Sequence, residues 1–151
     1  MSAGIHVVCG HCDTVIRVPA DRLPEAPRCA KCHNALLDGH PVTLTSASFE
    51  KHITRNDLPV VVDFWAPWCG PCRAMAPAFE AAANSFASGA RLAKLNTDEA
   101  PEISARFGIR GIPTLIAFRQ GREIARQSGA MDERTLTQWL NTQILKTSGS
   151  E

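Results

Sequence analysis

The sequence predicts an α/β fold, a central mixed β-sheet flanked by helices, preceded by a small four-cysteine module. Three observations predict it. From Val42 onward, strand-like and helix-like runs follow in the order β-α-β-α-β-α-β-β-α. The alternating part implies parallel pairing, and the final strand pair implies an antiparallel hairpin. The run Val60-Val61-Val62-Asp63-Phe64-Trp65 is continuous enough to be a central strand covered on both faces. Upstream, Cys9-Gly10-His11-Cys12 and Cys29-Ala30-Lys31-Cys32 stand sixteen residues apart, in a stretch with few long apolar residues.

Each element has a local reason. Val15 to Val18 is a short strand candidate, followed by a loop punctuated by Pro19, Pro24 and Pro27. Asn34 to Pro41 reads as a connection, with a turn at Asp38-Gly39. Val42-Thr43-Leu44 is a short strand. Thr45 or Ser46 can cap a helix through about Thr54, with Phe49 and Ile53 on one face. Asn56-Asp57 turns the chain into the strand Pro59–Trp65. A long helix runs from about Arg73 to Phe86; Pro77 inside it predicts a kink, and Ser88-Gly89 ends it.

Arg91 to Asn96 is the next strand. Glu99 to Phe107 is a short helix with Pro101 in its first turn and Gly108 behind it as a cap. Thr114–Arg119 and Glu123–Ser128 are strands joined by a tight turn at Gln120-Gly121. Asp132 caps a last helix, whose apolar face is Leu136, Trp139, Leu140 and Ile144. The expected division is a module and connection at residues 1–40, a larger domain at 41–146 and a polar, frayed tail at 147–151.

Composition narrows the function classes. The 151 residues are 44% apolar and 21% charged, with net charge +1, and residues 1–40 hold four basic and four acidic side chains. Nothing there points to nucleic acid or a membrane surface. No apolar run approaches the roughly 20 residues of a membrane helix. The N-terminus has neither the basic nor the apolar region of an export signal. These features predict a cytoplasmic protein, in which cysteine pairs are more often catalytic or metal-binding than structural disulfides.

The third pair, in Trp68-Cys69-Gly70-Pro71-Cys72, differs from the other two by its context. It stands between a buried strand and a helix. Cys69 and Cys72 are neighbours on a helical turn, within reach of a disulfide. Unpaired N–H groups and the dipole at the helix start favour a thiolate on Cys69, which makes it the nucleophile; Cys72, a turn inside, is the resolving sulfur. Gly70-Pro71 stiffens the loop between them. Asp63, an acid inside an apolar strand, should have a raised pKa. Lys94 by itself could be an exposed strand residue.

These residues resemble the thioredoxin family. The resemblance rests on Asp63-Phe64-Trp65-Ala66, Trp68–Cys72, Pro77, Lys94, Arg110-Gly111-Ile112-Pro113-Thr114 and Gly129-Ala130. It covers about residues 42–145 and implies the thioredoxin fold. It also implies a protein thiol–disulfide oxidoreductase that reduces substrate disulfides. The lowered pKa of the dithiol is a familiar property of thioredoxins and comes with the resemblance. So do several roles. Asp63 would assist proton transfer at the resolving sulfur, with Lys94 near it. Pro113 would be cis, in a loop that faces the dithiol and binds substrate as an extended strand. Trp68, Gly70, Pro71, Gly111, Ile112, Gly129 and Ala130 would form the substrate surface around Cys69. Trp65 and Phe64 read as core. The implied partners are protein disulfides and an NADPH-dependent flavin thioredoxin reductase. The chain carries no Gly-x-Gly-x-x-Gly fingerprint, so no bound nucleotide is expected, and the fold usually works as a monomer.

The spacing Cys-x2-Cys-x16-Cys-x2-Cys fits a four-cysteine zinc site. One zinc held by Cys9, Cys12, Cys29 and Cys32 would order a zinc-ribbon-like segment too small to fold alone. His6, His11, His33 and His40 read as exposed loop histidines. Two disulfides are an alternative, as is iron; the glycine that usually follows the second cysteine of a rubredoxin knuckle is missing. A zinc module joined to this domain, with Asp38-Gly39 and Trp65-Ala66-Pro67-Trp68, resembles the thioredoxin 2 subfamily. Two further functions stay open: a disulfide isomerase, and a binding protein switched by oxidation of its zinc thiolates.

Overall fold

The computed structural model describes residues 4–145. The tail expected at 147–151 lies outside them. A two-stranded antiparallel sheet, β1 (Gly4–Val8) and β2 (Val15–Pro19), opens the chain, followed by a 3-10 turn at Ala20–Glu25. Then come β3 (Val42–Leu44), α1 (Phe49–Arg55), β4 (Val60–Trp65), α2 (Gly70–Ser85), β5 (Arg91–Asn96), α3 (Pro101–Arg106), β6 (Thr114–Arg119), β7 (Arg122–Ser128), α4 (Glu133–Leu140) and a π turn at Asn141–Leu145.

The five-stranded sheet has the order β3-β5-β4-β6-β7. β3 and β4 pair with β5 in parallel, while β6 pairs antiparallel with β4 and β7. This is a mixed sheet with β4 at its centre, as the apolar run predicts. Alternation along β4 separates two cores. Val60, Val62 and Phe64 face Phe49, Ile53, Ile103, Ile116 and Phe118 on the side of α1 and α3. Val61 faces Met75, Phe79, Leu115, Leu136 and Leu140 on the side of α2 and α4. The hairpin turn has positive φ at both Gln120 (53°) and Gly121 (81°), the geometry that matches strand twist.

Local differences from the sequence reading have local causes. Gly4–Val8 forms a strand that the sequence does not announce, because it is short and Gly4 and His6 interrupt its apolar residues; Val7 and Val8 are nonetheless fully buried. α1 starts at Phe49, but Thr45 still caps the turn that leads into it. Its Oγ1 accepts from Ser48 N, and Ser48 Oγ accepts from Thr45 N. α2 begins at Gly70 rather than Arg73, so Pro71 lies in its first turn, where the missing N–H costs nothing. α3 is shorter than expected, starting at Pro101.

The N-terminal module packs on one end of the sheet. Val8 N donates to Asn56 Oδ1 at 2.8 Å, His6 N to Asp57 Oδ2 at 2.6 Å, and Asp57 N to His6 O at 2.9 Å. Arg91 donates to Leu36 O at 2.7 Å and to Val8 O at 3.2 Å. His52 Nε2 lies 2.8 Å from Asp13 Oδ1, and His40 meets Glu80. Asn56, Asp57 and Arg91 lie at the start of β4 and β5. The module therefore covers the amino-terminal end of these parallel strands. The residues that follow β4 at its other end are Ala66 to Cys72, about 20 Å away at the rise of a β-strand.

Candidate active site and four-cysteine centre

β4 delivers the chain to Ala66, Pro67 and Trp68, and α2 begins at once. Cys69 is the N-cap of α2 and is joined to Cys72 by a disulfide, with their Cα atoms 5.3 Å apart. The Cys69 Sγ accepts from Cys72 N at 3.2 Å, so the sulfur sits among the unpaired N–H groups of the first turn. Both sulfurs are nearly covered, with residue exposures of 4% and 2%. Around them pack Ala66, Trp65 and Ile112. The Ile112 carbonyl oxygen lies 3.7 Å from Cys69 Sγ, and the Ile112–Pro113 peptide bond is cis.

The surface beside the dithiol is open and assembled from three loops. Gly70, Pro71, Gly111, Gly129 and Ala130 are exposed, Ile112 is half-buried and Pro113 buried. Gly129 N donates to Pro113 O at 2.8 Å, which ties the loop after β7 to the proline loop. Gly129 holds φ at 97°, a region that favours glycine. Trp68 is the one large apolar side chain exposed among the described residues, at 68%. Its Nε1 donates to both oxygens of Asp98, at 3.0 and 3.2 Å. A cleft lined by Trp68, Pro101, Ile109, Arg110, Gly111 and Ile112 continues from it.

Behind the dithiol, Asp63 is fully buried, and neither carboxylate oxygen has a hydrogen-bond partner. Burial pushes its pKa from an ordinary 3.8 up to about 7, with the charge of Lys94 pulling the other way. Asp63 points to the same side of the sheet as Val61. There α2 presents its buried stripe, Cys72, Met75, Phe79, Ala82 and Ala83. Lys94 is the register partner of Asp63 on β5, and its Nζ lies 4.5 Å from the centroid of the Trp65 ring.

The four upstream cysteines converge. Their sulfurs all lie within 4.8 Å of one another, with Cys9 to Cys32 at 3.6 Å and Cys12 to Cys29 at 3.7 Å. A zinc–sulfur bond of about 2.3 Å gives a tetrahedral edge of about 3.8 Å, so the donor set and spacing fit zinc. The two knuckles repeat one geometry. His11 N and Lys31 N each lie 3.4 Å from the first sulfur of their knuckle. Asp13 N donates to Cys9 O and His33 N to Cys29 O, with φ of 63° and 69° at Asp13 and His33. These two residues hold the left-handed conformation for which glycine is usual. The missing glycine therefore does not separate zinc from iron. The four histidines stand apart from the sulfurs, though His6 lies in β1 rather than in a loop: His6 meets Asp57, His11 meets Asp38, His40 meets Glu80, and His33 is exposed.

Four residues outside the sequence reading of the site emerge here. Asp98 holds Trp68. Asn56, His52 and Arg91 are buried polar groups that join the module to the sheet. A polar residue next to an apolar strand is the only signal available in the sequence, and it applies weakly to Asn56 and Arg91.

Comparisons with known proteins agree with this geometry. A family profile described as "Thioredoxin" matches residues 40–142, and one described as "Thioredoxin 2, N-terminal", a zinc ribbon, matches residues 8–34. Thioredoxin C-3 of Corynebacterium nephridii is 41% identical over 146 residues, which span 95% of this chain and 99% of the relative. The thioredoxin of Porphyra purpurea is 48% identical over 101 residues, 67% of this chain and 94% of that one. Among solved structures, a mutant thioredoxin from Halobacterium salinarum NRC-1 superposes with a TM-score of 0.63 at 30% identity. It covers 70% of this chain and 92% of that chain.

Proposed function

From a chain that belongs to the thioredoxin family, and is a thiol–disulfide oxidoreductase acting on protein disulfides, we propose a cycle with a separate role for each sulfur. Cys69, as thiolate, attacks one sulfur of a substrate disulfide. The other substrate sulfur leaves as a thiolate and takes a proton from water, and a mixed disulfide joins Cys69 to the substrate. Cys72 then loses its proton to Asp63 and attacks Cys69 Sγ. The second substrate sulfur leaves as a thiolate and takes a proton from water, and the Cys69–Cys72 disulfide remains. Two electrons have passed from the protein to the substrate.

The position of Cys69 at the start of α2 supports its role as nucleophile, because the N-terminal N–H groups stabilise a thiolate there. A carboxyl with a pKa near 7 supports Asp63 as proton acceptor, since it can take and return a proton near neutral pH. Lys94 tunes that acid from the neighbouring strand. The substrate lies extended along Ile112 and the buried Pro113, against Trp68, Gly70, Pro71, Gly111, Gly129 and Ala130. The Ile112 carbonyl is placed to take a backbone hydrogen bond from it. Re-reduction falls to a flavin thioredoxin reductase that draws on NADPH.

Cys9, Cys12, Cys29 and Cys32 would hold one zinc ion, which would supply structural cross-linking of the two knuckles. The functional divisions are residues 1–40, 41–146 and 147–151. The protein works as a monomer in the cytoplasm, without nucleic acid or membrane. No helix among the described residues is long and apolar enough to cross a membrane.

The observation that carries this reading is the Cys69–Cys72 pair at the start of α2, with the Ile112 carbonyl against its outer sulfur. Reduction of insulin disulfides with dithiothreitol as electron source tests it. Cys69→Ser should abolish turnover, and Cys72→Ser should accumulate mixed disulfides. Loss of turnover in Cys9→Ser with retention in Cys69→Ser would overturn the assignment.

A further inference from the structure

Arg91 is buried, with 6% of its surface exposed, and among the described residues it has no ion pair. Its partners are two neutral carbonyls of the N-terminal module, Leu36 O and Val8 O, and its Nε has none. An always-charged guanidinium held this way needs a negative charge close by. Val8 is the residue before Cys9. The first knuckle also seats directly against the guanidinium. A Cβ added at Gly10, between Cys9 and Cys12, would come 3.3 Å from Arg91 Nη2 and 2.9 Å from Val42 Cγ2. Two groups that can carry negative charge lie near Arg91: the Asp38 carboxylate, and Cys9, which becomes a thiolate when it ligates a metal. Asp38 is exposed and is engaged by His11 at 3.2 Å.

Four thiolates around one divalent ion carry a net charge of minus two. We propose that Arg91 is the countercation of this four-cysteine centre, so that metal loading of the module and its docking onto the sheet stabilise each other. The inference rests on the zinc reading above. It assigns Arg91 a positioning role, in which its two hydrogen bonds hold the charge beside the first knuckle. Binding energy of the metal then reaches β5 without touching the dithiol. By reciprocity, a docked module also binds the metal more tightly.

The test uses the full chain and measures zinc affinity by competition with a chromogenic chelator. Melting of the zinc-loaded and chelator-treated protein is followed alongside. Arg91→Leu should bind zinc about tenfold or more weakly, in the range found when the partners of metal ligands are removed. Its zinc-dependent rise in Tm should shrink, while Arg91→Lys retains most of both. Asp38→Asn should leave affinity near wild type. Wild-type affinity in a folded Arg91→Leu protein would overturn the proposal, as would an equal loss in Asp38→Asn. If Arg91→Leu does not fold, Arg91→Lys against Arg91→Gln decides: equal affinity overturns the proposal, tighter binding by lysine supports it. A wild-type chain that takes up no zinc would overturn the zinc reading itself, an outcome distinct from equal affinities.

Discussion

Asp63 and Lys94 stand opposite each other on parallel strands, yet no ion pair joins them. The lysine Nζ lies instead over the Trp65 ring, 4.5 Å from its centroid, and both Asp63 oxygens are buried without a partner. The acid is thus left with desolvation as the dominant influence, and its pKa rises to about 7.

That arrangement makes stability depend on pH. The folded pKa lies above the ordinary 3.8. Stability from the neutral acid is therefore complete below pH 4 and is lost as pH rises through 7. The loss amounts to about 4 kcal/mol in the folded protein at its upper limit. Asp63→Asn should be more stable than the parent at pH 8 and equal to it near pH 4, as measured by urea unfolding of the oxidised form. A gain of the same size at both pH values would contradict the burial argument. The amide in Asp63→Asn cannot accept the Cys72 proton, so release of substrate from the mixed disulfide should slow at neutral pH.

Trp68 is held by Asp98 in the open, where a hydrogen bond contributes about 1 kcal/mol or less to folding. Asp98→Ala should therefore leave Tm nearly unchanged but raise KM for a protein disulfide. Gly111 has free space where a side chain would go. Gly111→Asp should fold normally and raise KM on the order of tenfold, equivalent to about 1.4 kcal/mol of lost docking. Insulin reduction across substrate concentrations separates KM from kcat in both variants.

Asn56 is fully buried, with its Oδ1 on Val8 N and its Nδ2 on His52 O. Asn56→Ala leaves both of those backbone groups short of a partner, at a cost of about 2–3 kcal/mol. Urea unfolding should show that loss, and amide exchange at Val8 should accelerate.

Chelation should separate the two halves of the molecule. Without metal, four sulfurs within 4.8 Å repel one another once ionised, and the small core around Val7, Val18, Leu23 and Leu36 is left to hold the module. Amide exchange in residues 4–37 should rise sharply. Insulin reduction should stay within about twofold, because the dithiol lies at the far end of the sheet, beyond direct coupling. A parallel collapse of activity would show that the module supports the active site.

Much of this protein is legible in its sequence because the signals are local. The strand before the dithiol and the helix after it distinguish this pair from the other two cysteine pairs. The Gln120-Gly121 hairpin, the Asp132 cap and the central run at Val60 each depend on neighbours a few residues away. The cysteine spacing itself states that two knuckles can share one ion. What tertiary structure decided depends on contacts between distant residues. β1 escapes a sequence reading because its outer edge is completed by Asn56 and Asp57, about fifty residues later. Asp98 becomes part of the site only where β5 ends beside Trp68. Arg91 reads as the first residue of a strand, and its burial under the module has no signature in the residues around it. Where the module sits, at the end of the sheet away from Cys69, follows from these long-range bonds, which spacing and periodicity do not encode.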